Sequence, residues 1–164
     1  MVEFKVISGK LIVSDPCYGN IELIGAANGT WEAEIKTGHF EDWGKRVTEI
    51  EAKHPDLDSD EWESLGHRDG DSGQMWIGDM AYWNGGETEW YDDICKTHGK
   101  VYASLYAAKE GVLTTSGFGD GGYELFGIKD EDDNLVAVKV VFITEEEIEQ
   151  WQEDEDDEDE EESV

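Results

Sequence analysis

Basic residues are scarce in this chain. Its 164 residues include 12 Lys and Arg against 42 Asp and Glu, so the formal net charge is -30. Proteins that bind nucleic acid or an anionic membrane surface draw their affinity from a basic footprint. The composition therefore argues against direct binding of nucleic acid or membrane, and it favours a basic protein as the partner.

Cysteines and long apolar runs are equally scarce. Cys17 and Cys95 are the only cysteines, and two thiols do not make a disulfide framework. The sequence contains no run of about 18 apolar residues. It also has no basic segment followed by an apolar one, as a secretory signal would require. These absences predict a cytoplasmic protein.

Apolar residues are nevertheless numerous enough for a core. Hydrophobic residues make up 38% of the chain, with seven Trp, six Tyr and five Phe, which is too many for a disordered protein. The length fits one domain. We predict a globular domain over 1–152 followed by a disordered acidic tail over 153–164, because that end is almost purely Asp and Glu. Its carboxylates are the predicted partner-binding residues: Glu153, Asp154, Glu155, Asp156, Asp157, Glu158, Asp159, Glu160, Glu161 and Glu162.

Three short helices are predicted. Thr144 and Glu147 have the spacing of a capping box, which predicts a helix from Glu145 to about Gln152. A second is expected from an Asp58 cap to a stop at Gly66. The third covers 87–98, where acids come early and basic residues late.

Short strands separated by Gly, Asn and Asp dominate the rest of the domain. Phe4–Ile7 and Lys10–Ser14 are predicted strands with a turn at Ser8-Gly9, and Thr30–Lys36 alternates apolar and charged residues as a half-buried strand does. A meander is predicted at the C-terminal end, over Val112–Ser116, Tyr123–Lys129 and Leu135–Ile143. The predicted fold class is α+β: a single sheet-dominated domain, mainly of antiparallel strands, with two or three short helices.

Five short motifs occur in a fixed order along the chain: Ser14-Asp15-Pro16-Cys17-Tyr18, Asp42-Trp43-Gly44-Lys45-Arg46-Val47, Asp71-Ser72-Gly73-Gln74, Trp90-Tyr91-Asp92 with Cys95, and Ser116-Gly117-Phe118-Gly119-Asp120-Gly121-Gly122-Tyr123. Together they resemble an uncharacterised family of small bacteriophage and bacterial proteins, a domain of unknown function. The resemblance implies a bacterial or phage-infected cell as the location, and it supplies no activity.

The carboxylates at predicted loop positions are the one group of residues in the sequence that suggests a catalytic or metal-binding site. Asp15, Asp71, Asp79 and Asp120 each stand beside Gly or Pro at a predicted strand end, where oxygen ligands suit Mg²⁺ or Ca²⁺. Loop capping is the favoured interpretation of this set, and Asp130 with Asn134 is interpreted as a turn. The glycines at 117–122 match a dinucleotide-binding pattern, but a predicted strand follows them where that site needs a helix.

The aromatic residues Trp76, Trp83, Trp90 and Tyr91 suggest a ligand surface. Core packing is the favoured alternative, because so polar a domain needs its large side chains inside.

Two functional hypotheses follow. In the first, a non-catalytic acidic phage-type protein binds a basic host or viral protein, as a nucleic-acid mimic or inhibitor, and uses no cofactor. The alternative is a small-molecule-binding or metal-dependent hydrolytic enzyme. It would use Asp15, Asp71 and Asp120 as catalytic or metal-binding groups, with Mg²⁺ or Ca²⁺ as the cofactor.

Overall fold

A computed structural model describes residues 2–14, 22–40, 44–69, 74–82, 105–108, 111–115 and 122–150. Most of them lie in strands. The strands are β1 (Val2–Val6), β2 (Lys10–Ser14), β3 (Glu22–Ile24), β4 (Gly29–Phe40), β5 (Gly44–Lys53), β6 (Glu63–Asp69), β7 (Gln74–Asp79), β8 (Leu105–Ala108), β9 (Gly111–Thr115), β10 (Gly122–Lys129) and β11 (Leu135–Val141). A 3₁₀ turn covers Met80–Tyr82, and a short helix, α1, covers 145–150.

The strands form two antiparallel sheets. Sheet A has the order β1-β4-β5-β11-β10-β6, and sheet B has the order β3-β2-β7-β9-β8. One apolar cluster includes side chains of both sheets, such as Trp31 and Ile50 from sheet A with Leu11 and Ile77 from sheet B. The core therefore lies between the two sheets, as in a β-sandwich.

Buried apolar residues and exposed charged residues alternate along strand β4 of sheet A. Trp31 and Ala33 are buried in the core cluster, whereas Glu32 and Glu34, which alternate with them, are exposed. This is the alternation that the sequence predicts for Thr30–Lys36, and the structure confirms it. Because successive side chains point to opposite faces of a strand, the same pattern places a row of charged residues on the outer face of sheet A.

The hairpin of β10 and β11 is also as predicted. Its turn is held by Asp130, whose Oδ1 accepts hydrogen bonds from the backbone N–H groups of Asp132 and Asn134, both at 2.9 Å. Asp133 has a φ of 66°, which Asp tolerates in a turn. These contacts are those of a side-chain-capped turn, as the sequence analysis favours.

The fold class needs correction, because the structure has two sheets and few helical residues. The predicted α+β domain with two or three short helices is wrong: α1 is the single helix in the described ranges, apart from the 3₁₀ turn. The predicted helix over 87–98 lies outside those ranges. No helix in the described part of the chain is both long and apolar enough to cross a membrane.

The expected helix at 58–65 is instead the approach to an edge strand. Ser64 and Glu63 pair with Phe126 and Gly127 of β10, and Leu65 packs against the core cluster. A helix as short as the one predicted over 58–65 is unstable without tertiary contacts. Pairing with β10 therefore decides that the end of this segment is a strand. Gly66, predicted as the helix stop, has a φ of 110° within β6, a conformation that glycine adopts readily.

The predicted meander is only partly correct. Strands β10 and β11 pair as expected, but β9 belongs to sheet B, where it pairs with β7 and β8. The predicted strands at Phe4–Ile7 and Lys10–Ser14 are separated in the same way, since β1 lies in sheet A and β2 in sheet B. Strand propensity is local, but the choice of sheet depends on distant partners.

Side chains on the outer face of sheet B are buried as well as those on its inner face. Ile12, Trp76 and Leu113 alternate with core residues along their strands, yet none of them has any exposed surface. The Trp76 ring lies over the backbone at Gly78 and Gly111: a Cβ at either glycine would come within 2.5 Å of the ring atom Cζ2. These two glycines leave the space that the indole fills.

We predict that Gly78→Ala lowers the free energy of unfolding by about 1–3 kcal/mol, because the added methyl overlaps the Trp76 ring. Urea unfolding would measure the change. In a Trp76→Leu background the cost of Gly78→Ala should fall sharply, since the clashing ring is gone. An equal cost in both backgrounds would contradict this packing.

Candidate functional site

A groove of about 640 Å³ lies on the outer face of sheet A. We call it the outer groove. Its floor is formed by β5, β11 and β10, and α1 with the preceding Thr144 forms a wall. The apolar side chains in its lining that are only half-buried are Tyr123, Phe126, Val141 and Ile148.

Strand register brings the charged lining together. Val141 lies opposite Glu49 of β5 on one side and opposite Glu124 of β10 on the other. Glu49 in turn lies opposite Lys36 of β4. Because neighbouring strands are about 4.8 Å apart, one cross-strand row carries both carboxylates and a cation across the groove.

The position of α1 follows from a bulge in β5. The carbonyl oxygen of Thr48 accepts hydrogen bonds from the backbone N–H groups of Phe142, at 2.9 Å, and Ile143, at 3.1 Å. The Thr48 hydroxyl donates to the carbonyl of Lys36 at 3.2 Å. These bonds hold the end of β11 against β5, so the helix that follows lies beside the groove.

The start of α1 is the predicted capping box. The Glu147 backbone N–H donates to the Thr144 hydroxyl at 3.2 Å, and a Glu147 carboxylate oxygen accepts from the Thr144 hydroxyl at 3.1 Å. Ile148 packs against the core cluster. The cap and this apolar contact stabilise a helix that is too short to persist alone.

A compact ion-pair cluster lies at the β4 and β5 side of the groove. Lys36 Nζ is 3.1 Å from Glu49 Oε2 and 3.7 Å from Glu51 Oε1. Lys53 Nζ is 3.2 Å from Glu51 Oε2. The two Glu side chains are only 14% and 9% exposed, whereas the lysines are much more exposed. Each lysine therefore neutralises a carboxylate that has lost most of its water.

The two carboxyl groups of this cluster differ in pKa. Burial raises the pKa of Glu49, and the neighbouring Glu51 raises it further, although Lys36 acts in the opposite direction. Burial also disfavours ionised Glu51, but its contacts with Glu49, Lys53 and Lys36 together lower the pKa of Glu51. A close carboxyl pair behaves in this way because two like charges cannot both ionise easily.

Lys139 in the middle of the groove contacts two aromatic rings. Its Nζ lies 4.3 Å from the centroid of the Trp62 ring and 5.5 Å from that of the Phe126 ring. Both distances fall within the range of a cation–π interaction. The Lys139 ammonium is thus held over the apolar part of the groove.

Other carboxylates at the groove are not neutralised. Glu124 of β10 and Glu145 of α1 are exposed, and neither forms an ion pair within the part of the chain that the structure describes. Together with Glu147 they give the groove an acidic rim above an apolar floor.

The structure does not describe most of the residues predicted from sequence as catalytic or partner-binding. Asp15, Asp71 and Asp120, the aromatic residues Trp83, Trp90 and Tyr91, and the tail carboxylates of 153–162 all lie outside the described residues. Among the residues that are described, no three His, Cys, Asp or Glu side chains are grouped to hold a metal ion. The structure instead brings together Lys36, Glu49, Glu124 and Lys139, which sequence reasoning missed.

Two further predicted residues have structural roles. Trp76, the remaining member of the aromatic set, is fully buried and so presents no face to a ligand. Asp79, of the loop-carboxylate set, is also fully buried. Its carboxylate accepts from the Ile7 backbone N–H, from the backbone N–H and hydroxyl of Ser8, and from the Ala81 backbone N–H. It caps loops, as the favoured interpretation requires.

The secondary structure of β10 tests the dinucleotide-binding interpretation of the glycines at 117–122. Gly122–Lys129 is a strand, whereas a dinucleotide site needs a helix at that point to face the pyrophosphate. The structure thus confirms that the element after these glycines is a strand.

Comparison with known proteins gives no relative. No family model matches the chain, and no curated protein or solved structure is significantly similar to it. The resemblance to the bacteriophage and bacterial family therefore stays a prediction.

We predict that Asp79→Asn lowers the free energy of unfolding by about 2–3 kcal/mol at pH 7. The amide can accept from fewer of the four donors and presents N–H groups to the rest. Burial raises the pKa of Asp79, but the Ser8 hydroxyl and the three backbone N–H groups outweigh it and lower the pKa overall. The stabilisation is therefore complete above the unfolded-state pKa of about 3.9 and is lost as the pH falls through the folded-state pKa.

Urea unfolding at a series of pH values would check this. The gap between wild type and Asp79→Asn should be constant above about pH 4 and should shrink below it. The exposed Asp60→Asn is the matched control and should change stability little. If the stability difference between wild type and Asp79→Asn persists unchanged in acid, the ionised Asp79 carboxylate does not account for the stabilisation.

We predict that Glu49→Gln raises the free energy of unfolding at pH 7–8 by about 0.5 kcal/mol, the scale of a partly exposed charge interaction. Glutamine keeps a donor for Glu51 and removes the like charge. Because the folded-state pKa of Glu49 is raised, the wild type loses stability as the pH rises through that pKa.

Chemical unfolding of wild type and Glu49→Gln at several pH values tests this sign. The advantage of the variant should disappear as the pH approaches about 4, where Glu49 is protonated. Glu131→Gln, in the exposed turn at 130–134, is the control for removal of one negative charge. A variant less stable than wild type at neutral pH would mean that the ion pair with Lys36 outweighs the repulsion from Glu51.

Proposed function

We propose that this protein is a non-catalytic acidic protein that binds a basic host or viral protein, and that it acts as a nucleic-acid mimic or inhibitor. The observation that carries the proposal is the acidic rim of the outer groove. Glu124 and Glu145 are exposed beside apolar side chains and have no cation paired with them in the described ranges. A cationic partner would supply the missing charges.

The net charge and the position of the tail support the same proposal. With a formal net charge of -30, the protein attracts basic molecules over distances of about 8 Å at physiological salt and further at low salt. The acidic run begins at Glu153, three residues after the end of α1. It is therefore tethered close to the helix that forms a wall of the groove, so both can contribute to one encounter.

The enzyme alternative depends on Asp15, Asp71 and Asp120, which lie outside the described residues. Asp79, the described member of the same loop-carboxylate set, accepts four hydrogen bonds from the loops that it caps. Mg²⁺ or Ca²⁺ remains the expected cofactor under this alternative.

A capture experiment tests the proposal. The full chain, a chain without 153–164 and the Asp15→Ala/Asp71→Ala/Asp120→Ala variant would each be immobilised and exposed to bacterial lysate, and bound proteins identified by mass spectrometry. The isolated tail peptide of 153–164 is the control for general polyanion binding. We expect one basic protein to be enriched on the full chain and on the triple variant, less on the truncated chain and least on the tail peptide. Its capture should weaken as salt rises.

Thermal unfolding with and without a divalent cation tests the enzyme alternative. If no basic protein is captured even at low salt, and Mg²⁺ or Ca²⁺ raises the melting temperature of the full chain but not of the triple variant, the proposal is wrong and the hydrolytic alternative takes its place.

A further inference from the structure

We infer that the outer groove recognises a segment of the partner in which Lys or Arg residues flank apolar ones. The inference rests on the proposed function and specifies its site. The groove, and not the acidic charge alone, would then select the partner. Two features of the groove carry the inference, its apolar lining and its unpaired carboxylates, and Lys139 supplies a test of it.

The floor offers apolar surface that no described side chain covers completely. Phe126 and Val141 come from β10 and β11 in the floor, Ile148 comes from α1 in the wall, and each is only half-buried in a structure whose other large side chains are mostly buried. Apolar surface that is grouped in a concave site gains free energy when a ligand removes it from water. A purely hydrophilic ligand would not remove that apolar surface from water.

The carboxylates determine the charge of the occupant. Lys36 is engaged by Glu49 and Glu51, so it does not offset the charge of Glu124 and Glu145. Glu124 belongs to β10 and Glu145 to α1, and both are exposed in the lining of the groove. Lys and Arg side chains suit such a site, because their aliphatic stems lie on apolar surface while the charged ends reach the rim.

Lys139 makes the inference sharper. Its ammonium already lies over the Phe126 ring, so it repels a second cation that enters the groove. Removing the Lys139 charge should therefore strengthen the binding of a cationic segment there. A gain in affinity is a useful signature, because damage to the fold cannot produce it.

Three synthetic octapeptides test the chemistry. The first is Lys-Lys-Leu-Lys-Lys-Leu-Lys-Lys with blocked ends, the second has Ser in place of both Leu, and the third has Gln in place of every Lys. Fluorescence anisotropy of the labelled peptides would give affinities at low salt and at about 0.15 M salt. We expect the Lys/Leu peptide to bind about tenfold more tightly than the Lys/Ser peptide, which corresponds to the burial of about two methylene groups' worth of surface over the two Leu together. The Gln/Leu peptide should not bind measurably.

Charge-matched variants locate the site. Glu124→Gln/Glu145→Gln should weaken the Lys/Leu peptide about tenfold, whereas the control Glu3→Gln/Glu32→Gln, which removes two exposed charges elsewhere on sheet A, should have little effect. Lys139→Gln should tighten binding about threefold. Its control is Lys5→Gln on β1, which changes the net charge equally. Thermal unfolding of each variant would confirm that the fold is kept.

The peptide results distinguish failure of the inference about the groove from failure of the proposed function. If the Lys/Leu and Lys/Ser peptides bind equally, and the groove variants behave like their controls, the groove does not select the partner. The inference is then wrong, while the proposed function stands on the acidic surface. If neither cationic peptide binds even at low salt, the proposed function fails together with the inference.

Discussion

The buried carboxylate of Asp79 joins the two sheets where the chain passes from one to the other. It lies at the end of β7 in sheet B, and it binds Ile7 and Ser8, between β1 of sheet A and β2 of sheet B. The other side of the same corner is held by the carbonyl of Gly9, which accepts from the backbone N–H groups of Gly25 and Ala26 at 3.0 and 2.9 Å. These contacts hold the segment between β1 and β2, which lie in different sheets although the sequence predicts a turn between them at Ser8-Gly9.

Because β1 and β2 separate, each sheet is completed by strands distant in sequence, and the order of sheet A creates the outer groove. Strand β11 lies between β5 and β10, so carboxylates from two distant segments, Glu49 and Glu124, occur on one row beside Val141. The bonds from Phe142 and Ile143 to Thr48 then place α1 beside that row. The groove thus depends on tertiary pairing throughout.

The charges on this face are of two kinds. Lys36 and Lys53 hold Glu49 and Glu51 in a compact cluster, where the attraction offsets part of the loss of hydration of the two Glu side chains. Glu124 and Glu145 stay exposed and unpaired within the described ranges. Charges of the first kind are paired within the sheet, whereas charges of the second kind are available to a partner and are sensitive to salt.

The sequence alone determined the features that depend on neighbouring residues. It predicted the alternation of β4, the turn at Asp130, the cap of α1 and the strand at Tyr123–Lys129, because spacing and side-chain hydrogen bonds specify these locally. The alternation at Glu49-Ile50-Glu51 is visible in the same way, but its strand partners are not. Only the tertiary structure decided that 63–69 forms a strand and that β9 joins sheet B. It also decided that Lys36, Glu49, Glu124 and Lys139 share one groove, since strand pairing between distant segments is set by the total packing of the core.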